Sequence, residues 1–147
     1  RQMCIRDSYK VLYNKLEKFA DLVFYIESQE ETEQLIALAK KHNVCLIPYG
    51  GGTNVTNALR PPKDETRMIV SVDTRRMNAI ESLDEENLLV TVQAGITGKE
   101  LETQLNERGF TVGHEPDSYE FSTVGGWIST NAAGIETFKN HAAGLDE

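Results

Sequence analysis

The chain has 147 residues, with 15 Lys and Arg side chains against 23 Asp and Glu, which gives a formal net charge of −8 at pH 7. The length suits one domain, and the acidic balance argues against nucleic acid or an anionic membrane surface as the main partner. No apolar run is long enough to span a bilayer, and Cys4 and Cys45 have neither metal nor disulfide spacing, so a reducing compartment is expected.

The chain does not begin with Met, and we expect it to be a piece of a longer protein. Residues 1–8 have no apolar periodicity, which fits a cloning or assembly artefact. We therefore expect residues 1–20 to form an N-terminal segment, with a weak helical pattern from Tyr9 to Phe19. Residues 21–147 are expected to form the domain, incomplete at its C-terminal end.

Two later segments predict α-helices because Ser or Thr stands three residues before Glu, as in a capping box. The first helix follows Ser28 and ends at His42. The second follows Thr97 and ends before Gly109, which we place at the C′ position. The apolar positions are Leu35, Ile36, Leu38 and Ala39 in the first helix, and Leu101 and Leu105 in the second.

Five stretches rich in aliphatic and β-branched residues predict strands. Leu88–Val92 is apolar on both faces until Thr91, which suits a central strand. Strands and helices do not alternate regularly, so the predicted fold class is α+β with mixed sheets. The five strands are Leu22–Ile26, Val44–Ile47, Met68–Val72, Ala79–Leu83 and Leu88–Val92.

A run of three glycines directly follows the second predicted strand. Without Cβ atoms, such a loop brings its main chain close to a ligand, and successive amide N–H groups can converge on a pyrophosphate. No Lys-Ser/Thr pair follows, which excludes a Walker-type triphosphate loop, and the spacing is not G-x-G-x-x-G. An ordinary tight turn is the alternative that these residues leave open. The run is Pro48, Tyr49, Gly50, Gly51, Gly52, Thr53 and Asn54.

A second unusual stretch, from Gly113 to Gly134, crowds small and hydroxyl-bearing residues around Gly125 and Gly126. Small residues admit a flat ring or a sugar phosphate, and short polar side chains fix the orientation of a ligand. A tightly packed helix start explains the same composition, and Trp127 is expected in the core. The polar side chains are Ser118, Ser122, Thr123, Thr130 and Asn131.

His114 lies two residues before Pro116, on a predicted turn. One interpretation is a hydrogen-bonded surface histidine. The other is a general acid or base, or a phosphate partner, at the mouth of a pocket.

Together these phrases resemble the vanillyl-alcohol-oxidase-type (PCMH-type) family of FAD-binding flavoproteins, and within it the alkyldihydroxyacetonephosphate synthase (alkylglycerone-phosphate synthase) family. The resemblance covers about residues 21–134, and the stretch from Gly113 to Trp127 is its most specific part. The matching phrases are His42–Cys45, Pro48–Asn54, Asp64–Arg67, Ala94–Gly98, Gly113–Ser118 and Glu120–Trp127.

The resemblance implies a PCMH-type domain of two mixed α/β subdomains that binds FAD non-covalently, since the glycine loop has no histidine for a covalent link. It implies that His114 is catalytic. The implied pyrophosphate contacts are the seven residues from Pro48 to Asn54. The implied contacts to the ribityl chain and ring are Asp117, Ser118, Tyr119, Glu120, Phe121, Ser122, Thr123, Thr130, Asn131, Ala132 and Ala133.

The implied reaction exchanges the acyl chain of acyl-dihydroxyacetone phosphate for a long-chain fatty alcohol in ether-lipid synthesis. A covalent adduct at flavin N5 serves as the electron sink that lets the carboxylate leave, without net redox change. The resemblance further implies a peroxisomal homodimer with peripheral membrane association, and a substrate-binding cap beyond residue 147. The fragment alone is expected to be inactive.

Two departures and two alternatives accompany this interpretation. Asn131 stands where many family members carry Arg or Lys, and residues 135–147 do not match the family's continuation. Thr130–Gly134 leans toward the FAD-dependent D-2-hydroxyacid (D-lactate-type) dehydrogenases, which share the flavin domain. A non-enzymatic module that only binds a nucleotide is the third interpretation.

Overall fold

The computed structural model of the chain describes residues 18–136. The weak helical pattern from Tyr9 to Phe19 lies almost entirely outside the described residues, as do Cys4 and most of the unmatched tail. The elements in chain order are β1 (Leu22–Tyr25), α1 (Gln29–His42), β2 (Cys45–Tyr49), β3 (Ile69–Asp73), β4 (Ile80–Asp84), β5 (Leu89–Val92), α2 (Gly98–Asn106), β6 (His114–Pro116), α3 (Val124–Thr130) and β7 (Gly134–Glu136).

The largest sheet has three parallel strands in the order β1-β3-β2. Its centre is β3, whose Ile69, Val70 and Val72 are buried. At the C-terminal edge, Asp73 of β3 lies opposite both Tyr25 of β1 and Tyr49 of β2. The carboxyl ends of all three strands therefore meet at one edge, where ligands of parallel sheets usually bind.

The predicted strands and the two main predicted helices are confirmed, with ends displaced by one or two residues, and so is the α+β class. The central position predicted for Leu88–Val92 is wrong. Among the described residues, β5 pairs only with β4, in a two-stranded antiparallel sheet, and its residues alternate between exposed and half-buried. β6 and β7 form another antiparallel pair. Each described sheet is therefore either purely parallel or purely antiparallel, and the predicted mixed sheets are not found among the described residues.

Both helices begin at the N-caps that the sequence predicts, but two details of the capping differ. The Ser28 hydroxyl accepts a hydrogen bond from the Glu31 amide at 3.2 Å, but the Glu31 carboxylate accepts from the Glu27 amide rather than from that of Ser28. At α2, Thr97 forms the complete capping box. Gly109 has the expected positive φ of 83°, but α2 ends at Asn106, so Gly109 lies three residues after its end rather than at C′.

Two hydrophobic clusters form the core. The first contains Ile26, Val70 and Val72, under the parallel sheet, and the second contains Ile96, Leu101 and Leu105, where α2 packs on the β4–β5 pair. The predicted stripe on α1 is only half buried. Ala39 is buried and Leu35 packs on the first cluster, whereas Ile36 and Leu38 are exposed.

The helices of residues 18–136 are all too short or too polar to cross a membrane. Over the same residues, no group of three or more His, Cys, Asp or Glu side chains is placed to hold a metal ion.

Candidate functional site

The glycine loop, residues 50–54, leaves β2 at the C-terminal edge of the parallel sheet. The chain leaving β3 supports it there. The Tyr49 carbonyl, just before the loop, accepts hydrogen bonds from the Thr74 amide at 2.9 Å and from the Thr74 hydroxyl at 3.2 Å. The start of the loop is therefore fixed to the neighbouring strand.

The amide groups of the glycine loop are its main chemical feature. All five residues are half-buried, yet among residues 18–136 no oxygen accepts a hydrogen bond from their amides. Gly52 has a φ of 67°, a conformation that favours glycine. Partly buried amide groups need a partner, either water or a ligand. Consecutive amides of this kind suit a pyrophosphate, so the loop fits the anionic part of a dinucleotide.

The glycines of the loop are also required by a protein contact. A Cβ on Gly50 would lie 2.3 Å from the Thr123 hydroxyl oxygen, and one on Gly51 would lie 1.8 Å from the Phe121 carbonyl oxygen. The loop therefore packs directly on residues 117–123, which we call the serine segment. From the sequence, the missing Cβ atoms were expected to let a ligand approach. In the structure, their absence makes room for Phe121 and Thr123 of the serine segment.

Backbone pairing positions the serine segment. The Ser118 carbonyl accepts hydrogen bonds from the amides of Phe121 and Ser122, both at 2.8 Å, and Ser118 itself has a φ of 60°. The Gly98 amide then donates to the Ser122 carbonyl at 3.1 Å, and the Val124 amide donates to Ile96 at 3.0 Å. These bonds attach the segment to the start of α2, so three parts of the chain meet at the site.

Most hydroxyls expected to fix a ligand bond within the protein instead. Thr123 is 1% exposed and caps α3, accepting from the Gly126 amide at 3.3 Å. The Ser122 oxygen, also buried, accepts from the Trp127 indole N–H at 2.7 Å, and the Thr130 hydroxyl donates to the Gly126 carbonyl. The tightly packed helix start is thus confirmed. Any ligand contact by these residues would run chiefly through their main chain.

The remaining predicted contacts are more open. Asp117, Ser118, Glu120 and Phe121 are exposed, and Tyr119 is half-buried. Asn131 ends α3 with a φ of 49°, and Ala132 and Ala133 follow it. The cofactor contacts of all these residues stay predictions.

His114 lies on a strand, so the predicted turn is wrong. It begins β6, opposite Glu136 of β7. The strand was not predicted because the polar pair His-Glu gives no strand signal by itself. The imidazole is half-buried and meets the Trp127 ring edge-on, with centroids 5.4 Å apart and planes at 73°. A Cβ on Gly134 would lie 2.9 Å from this imidazole. The structure gives His114 a packing role, and its catalytic role stays a prediction.

A charged pair that was not predicted from the sequence lies beside Tyr49, just before the glycine loop. Asp73 is 2% exposed, and its carboxylate accepts hydrogen bonds from the Arg75 amide and guanidinium, the closest at 2.6 Å. Burial raises the pKa of Asp73, but the bonds from Arg75 outweigh it, and the pKa lies below its ordinary value. The sequence does show charged residues directly after an apolar strand. Their position beside Tyr49 was not predicted because it depends on the pairing of β3 with β2.

Asp73 should make stability acid-dependent. Its carboxylate titrates near 3.9 in the unfolded chain and lower in the fold, so its stabilising contribution is complete above about pH 4 and is lost as the pH falls through the folded pKa. We expect the melting-temperature difference between wild type and Asp73→Asn to shrink from pH 7 to pH 3. A difference that stays constant would contradict this assignment. The variant is needed because Glu65 and Asp84 also have lowered pKa values.

The contact between the two halves of the site predicts a compensating pair of substitutions. Gly50→Ala should weaken ligand binding and stability, because its Cβ overlaps the Thr123 hydroxyl. Thr123→Ala removes that oxygen and costs about 1 kcal/mol through the lost cap. In the double variant, the Gly50→Ala substitution should therefore cost less than in wild type, as measured by denaturant unfolding. Additive costs would show that the overlap is not the cause.

Comparisons with known proteins agree with this geometry. Residues 20–144 match the family model described as FAD binding domain. The alkyldihydroxyacetonephosphate synthase of Caenorhabditis elegans is 46% identical over 135 residues, 92% of this chain and 23% of the relative. The alkyldihydroxyacetonephosphate synthase of Dictyostelium discoideum is 43% identical over 135 residues, which are 92% of this chain and 22% of the relative. A solved structure of an alkyldihydroxyacetonephosphate synthase superposes with a TM-score of 0.82 at 44% identity, over 88% of this chain and 24% of that one.

The chain thus spans less than a quarter of the length of the two curated relatives. The family match covers the glycine loop and the serine segment, and the free loop amides fit the pyrophosphate of a flavin dinucleotide. The chain therefore belongs to the FAD binding domain family, and FAD is its cofactor.

Proposed function

We propose that the full-length protein is an alkyldihydroxyacetonephosphate synthase. It exchanges the acyl chain of acyl-dihydroxyacetone phosphate for a long-chain fatty alcohol and so forms the ether bond of ether lipids. The observation that carries the proposal is the 46% and 43% identity to two synthases over 92% of the chain, with the glycine loop and the serine segment inside the aligned region. The D-lactate-type dehydrogenase is the alternative that the test must exclude.

The exchange breaks one carbon–oxygen bond and forms another. The bond to the fatty carboxylate breaks, the bond to the alcohol oxygen forms, and the alcohol proton is released, so there is no net redox change. FAD supplies the electron sink for this substitution. The protein would supply the placement: the amides of the glycine loop would hold the pyrophosphate, and the main chain of the serine segment would contact the flavin. The route through flavin N5 stays a prediction.

The proposed FAD is non-covalent. The segments proposed to touch it, residues 48–54, 117–123 and 130–133, contain no histidine or cysteine that could form a link to the flavin ring. Acid precipitation of the purified protein should therefore release all of the yellow flavin into solution. Flavin that stays with the pellet would contradict a non-covalent site.

His114 is the proposed general acid or base. It is half-buried, and it contacts Trp127, whose indole is bonded to Ser122 of the serine segment. His114→Gln keeps a polar side chain of similar size but cannot take up a proton at neutral pH. Loss of turnover with FAD still bound would support a chemical role, whereas loss of both would indicate the packing role alone.

The test of function uses the full-length protein. With acyl-dihydroxyacetone phosphate and hexadecanol, the synthase should release one fatty acid for each ether-linked product, without reducing an added dye. A D-lactate-type dehydrogenase would instead reduce the dye with D-lactate and form no ether. Saturation with FAD at about 100 times its Kd should add roughly 2.7 kcal/mol of stability in either case. If the purified protein is colourless and its melting temperature does not change with added FAD, both enzyme interpretations are excluded and the non-enzymatic nucleotide-binding module remains.

The cellular setting is proposed on the same resemblance. We infer that the full-length enzyme is a peroxisomal homodimer with peripheral membrane association. Sedimentation of the purified protein tests the homodimer, and microscopy of a tagged full-length chain tests the peroxisomal location.

A further inference from the structure

The Asp73–Arg75 pair lies beside Tyr49, the residue before the glycine loop, and its geometry defines a stack of residues. The Arg75 guanidinium carbon lies 5.5 Å from the centre of the Tyr49 ring, within the range of a cation–π contact. The Tyr49 hydroxyl oxygen and the ring carbon that carries it occupy the space that a Cβ on Gly52 would take, at 2.6 and 3.0 Å. Asp73, Arg75, Tyr49 and Gly52 thus follow one another in contact.

Each member of this stack is held in place. Asp73 is nearly fully buried, and a buried carboxylate requires a strong partner, which Arg75 supplies through its backbone amide, Nε and the terminal nitrogen. This fixes the plane of the guanidinium. The Tyr49 backbone is fixed in turn by the two hydrogen bonds that its carbonyl accepts from Thr74.

Charge alone does not explain the arrangement. The Asp73 carboxylate, 2.6 Å from Arg75, cancels most of the field that the guanidinium would exert on a nearby anion. The Arg75 side chain is also half-exposed, so solvent screens it further. What the pair provides is a guanidinium held in place by Asp73 and packed on the Tyr49 ring. That ring in turn contacts Gly52.

We propose that Asp73 and Arg75 are positioning residues for FAD: through the Tyr49 ring they hold Gly52 in its left-handed conformation, and so keep the loop amides directed at the pyrophosphate. The inference rests on the proposed FAD role of the glycine loop. It predicts that disturbing Arg75 weakens FAD binding beyond any general loss of stability.

The protein offers a matched control. Arg76, the next residue, lies 4.9 Å from the centre of the Tyr25 ring and pairs with Glu27, so it makes the same kinds of contact. Its tyrosine ends β1, not the strand that leads into the glycine loop. Arg76→Gln therefore removes the same two kinds of contact from the same turn, and its tie to the stack is a charge interaction with Asp73 rather than a hydrogen bond or ring contact.

The experiment measures the FAD Kd by flavin fluorescence, and the melting temperature of the FAD-free form, in full-length protein. Arg75→Lys keeps the charge but loses the planar fork, and should raise the Kd about two- to five-fold, the size of one cation–π contact. The double variant Asp73→Asn/Arg75→Gln replaces the buried ion pair by a neutral hydrogen-bonded pair, so that no charge is left unpaired if Arg75→Lys fails to fold. It should also raise the Kd about two- to five-fold. Arg76→Gln should lower the melting temperature but leave the Kd unchanged.

Two results would overturn the inference: an unchanged Kd in both Arg75 variants, or an equal rise in Arg76→Gln. Failure of the proposed FAD role of the glycine loop looks different, because wild type itself would not bind FAD, or Gly51→Ala would bind it normally. Tight binding by wild type, loss in Gly51→Ala and no change in the Arg75 variants would reject only the positioning role.

Discussion

Gly51→Ala is expected to abolish FAD binding. The first added atom would lie 1.8 Å from the Phe121 carbonyl oxygen and 2.6 Å from its carbonyl carbon. Both are main-chain atoms, so no side-chain rotation relieves the overlap, and the glycine loop and the serine segment must move apart. Because both are proposed to contact FAD, the loss should exceed 100-fold in Kd, equivalent to about 2.7 kcal/mol. Flavin titration of the full-length protein measures it.

Gly109→Ala is the control for this substitution. Gly109 has a φ of 83°, and a Cβ there would meet nothing within 4 Å. Alanine in that conformation costs about 1–2 kcal/mol of stability without any overlap. Gly109→Ala should therefore lower the melting temperature but retain FAD. Full flavin occupancy in Gly51→Ala would show that the contact with Phe121 is not needed for the site.

Local signals in the sequence were sufficient for the two main helices. Ser28 and Thr97 each cap a helix where the pattern of hydroxyl and Glu predicted it, because capping depends on residues within one turn. The pairing of strands is different. β3 separates β1 from β2 in the parallel sheet although it follows both in sequence, and an apolar run such as Leu88–Val92 does not reveal how many partners it has.

The candidate site was predictable as two glycine-rich segments but not as one contact surface. Gly51 and Phe121 are seventy positions apart, and nothing in either phrase states that a carbonyl fills the space beside the glycine. The hydroxyl of Thr123 was assigned to a ligand because its role as a helix cap depends on where α3 begins. Arg75 was missed for a similar reason, since its proximity to Tyr49 follows only from the parallel register.

Trp127 should be the side chain whose removal most disturbs the second half of the site. It is 9% exposed, its ring atoms would lie 2.6 and 2.8 Å from a Cβ on Gly98, and it contacts His114 edge-on. Trp127→Ala leaves a large cavity between α2, β6 and α3, and is expected to cost about 3–5 kcal/mol in the free energy of unfolding. Denaturant unfolding of the FAD-free protein measures this cost.

The hydrogen bond of Trp127 can be separated from its packing. Trp127→Phe keeps most of the apolar contact but leaves the buried Ser122 oxygen without its donor, at a cost of about 1–3 kcal/mol. Ser122→Ala alone strands the indole N–H at a similar cost. The double variant leaves neither polar group unpaired, so its cost should be clearly less than the sum of the two. Strict additivity would mean that the bond does not link α3 to the serine segment, and that the main chain proposed to contact FAD is held by its backbone pairing with Ile96, Gly98 and Lys99.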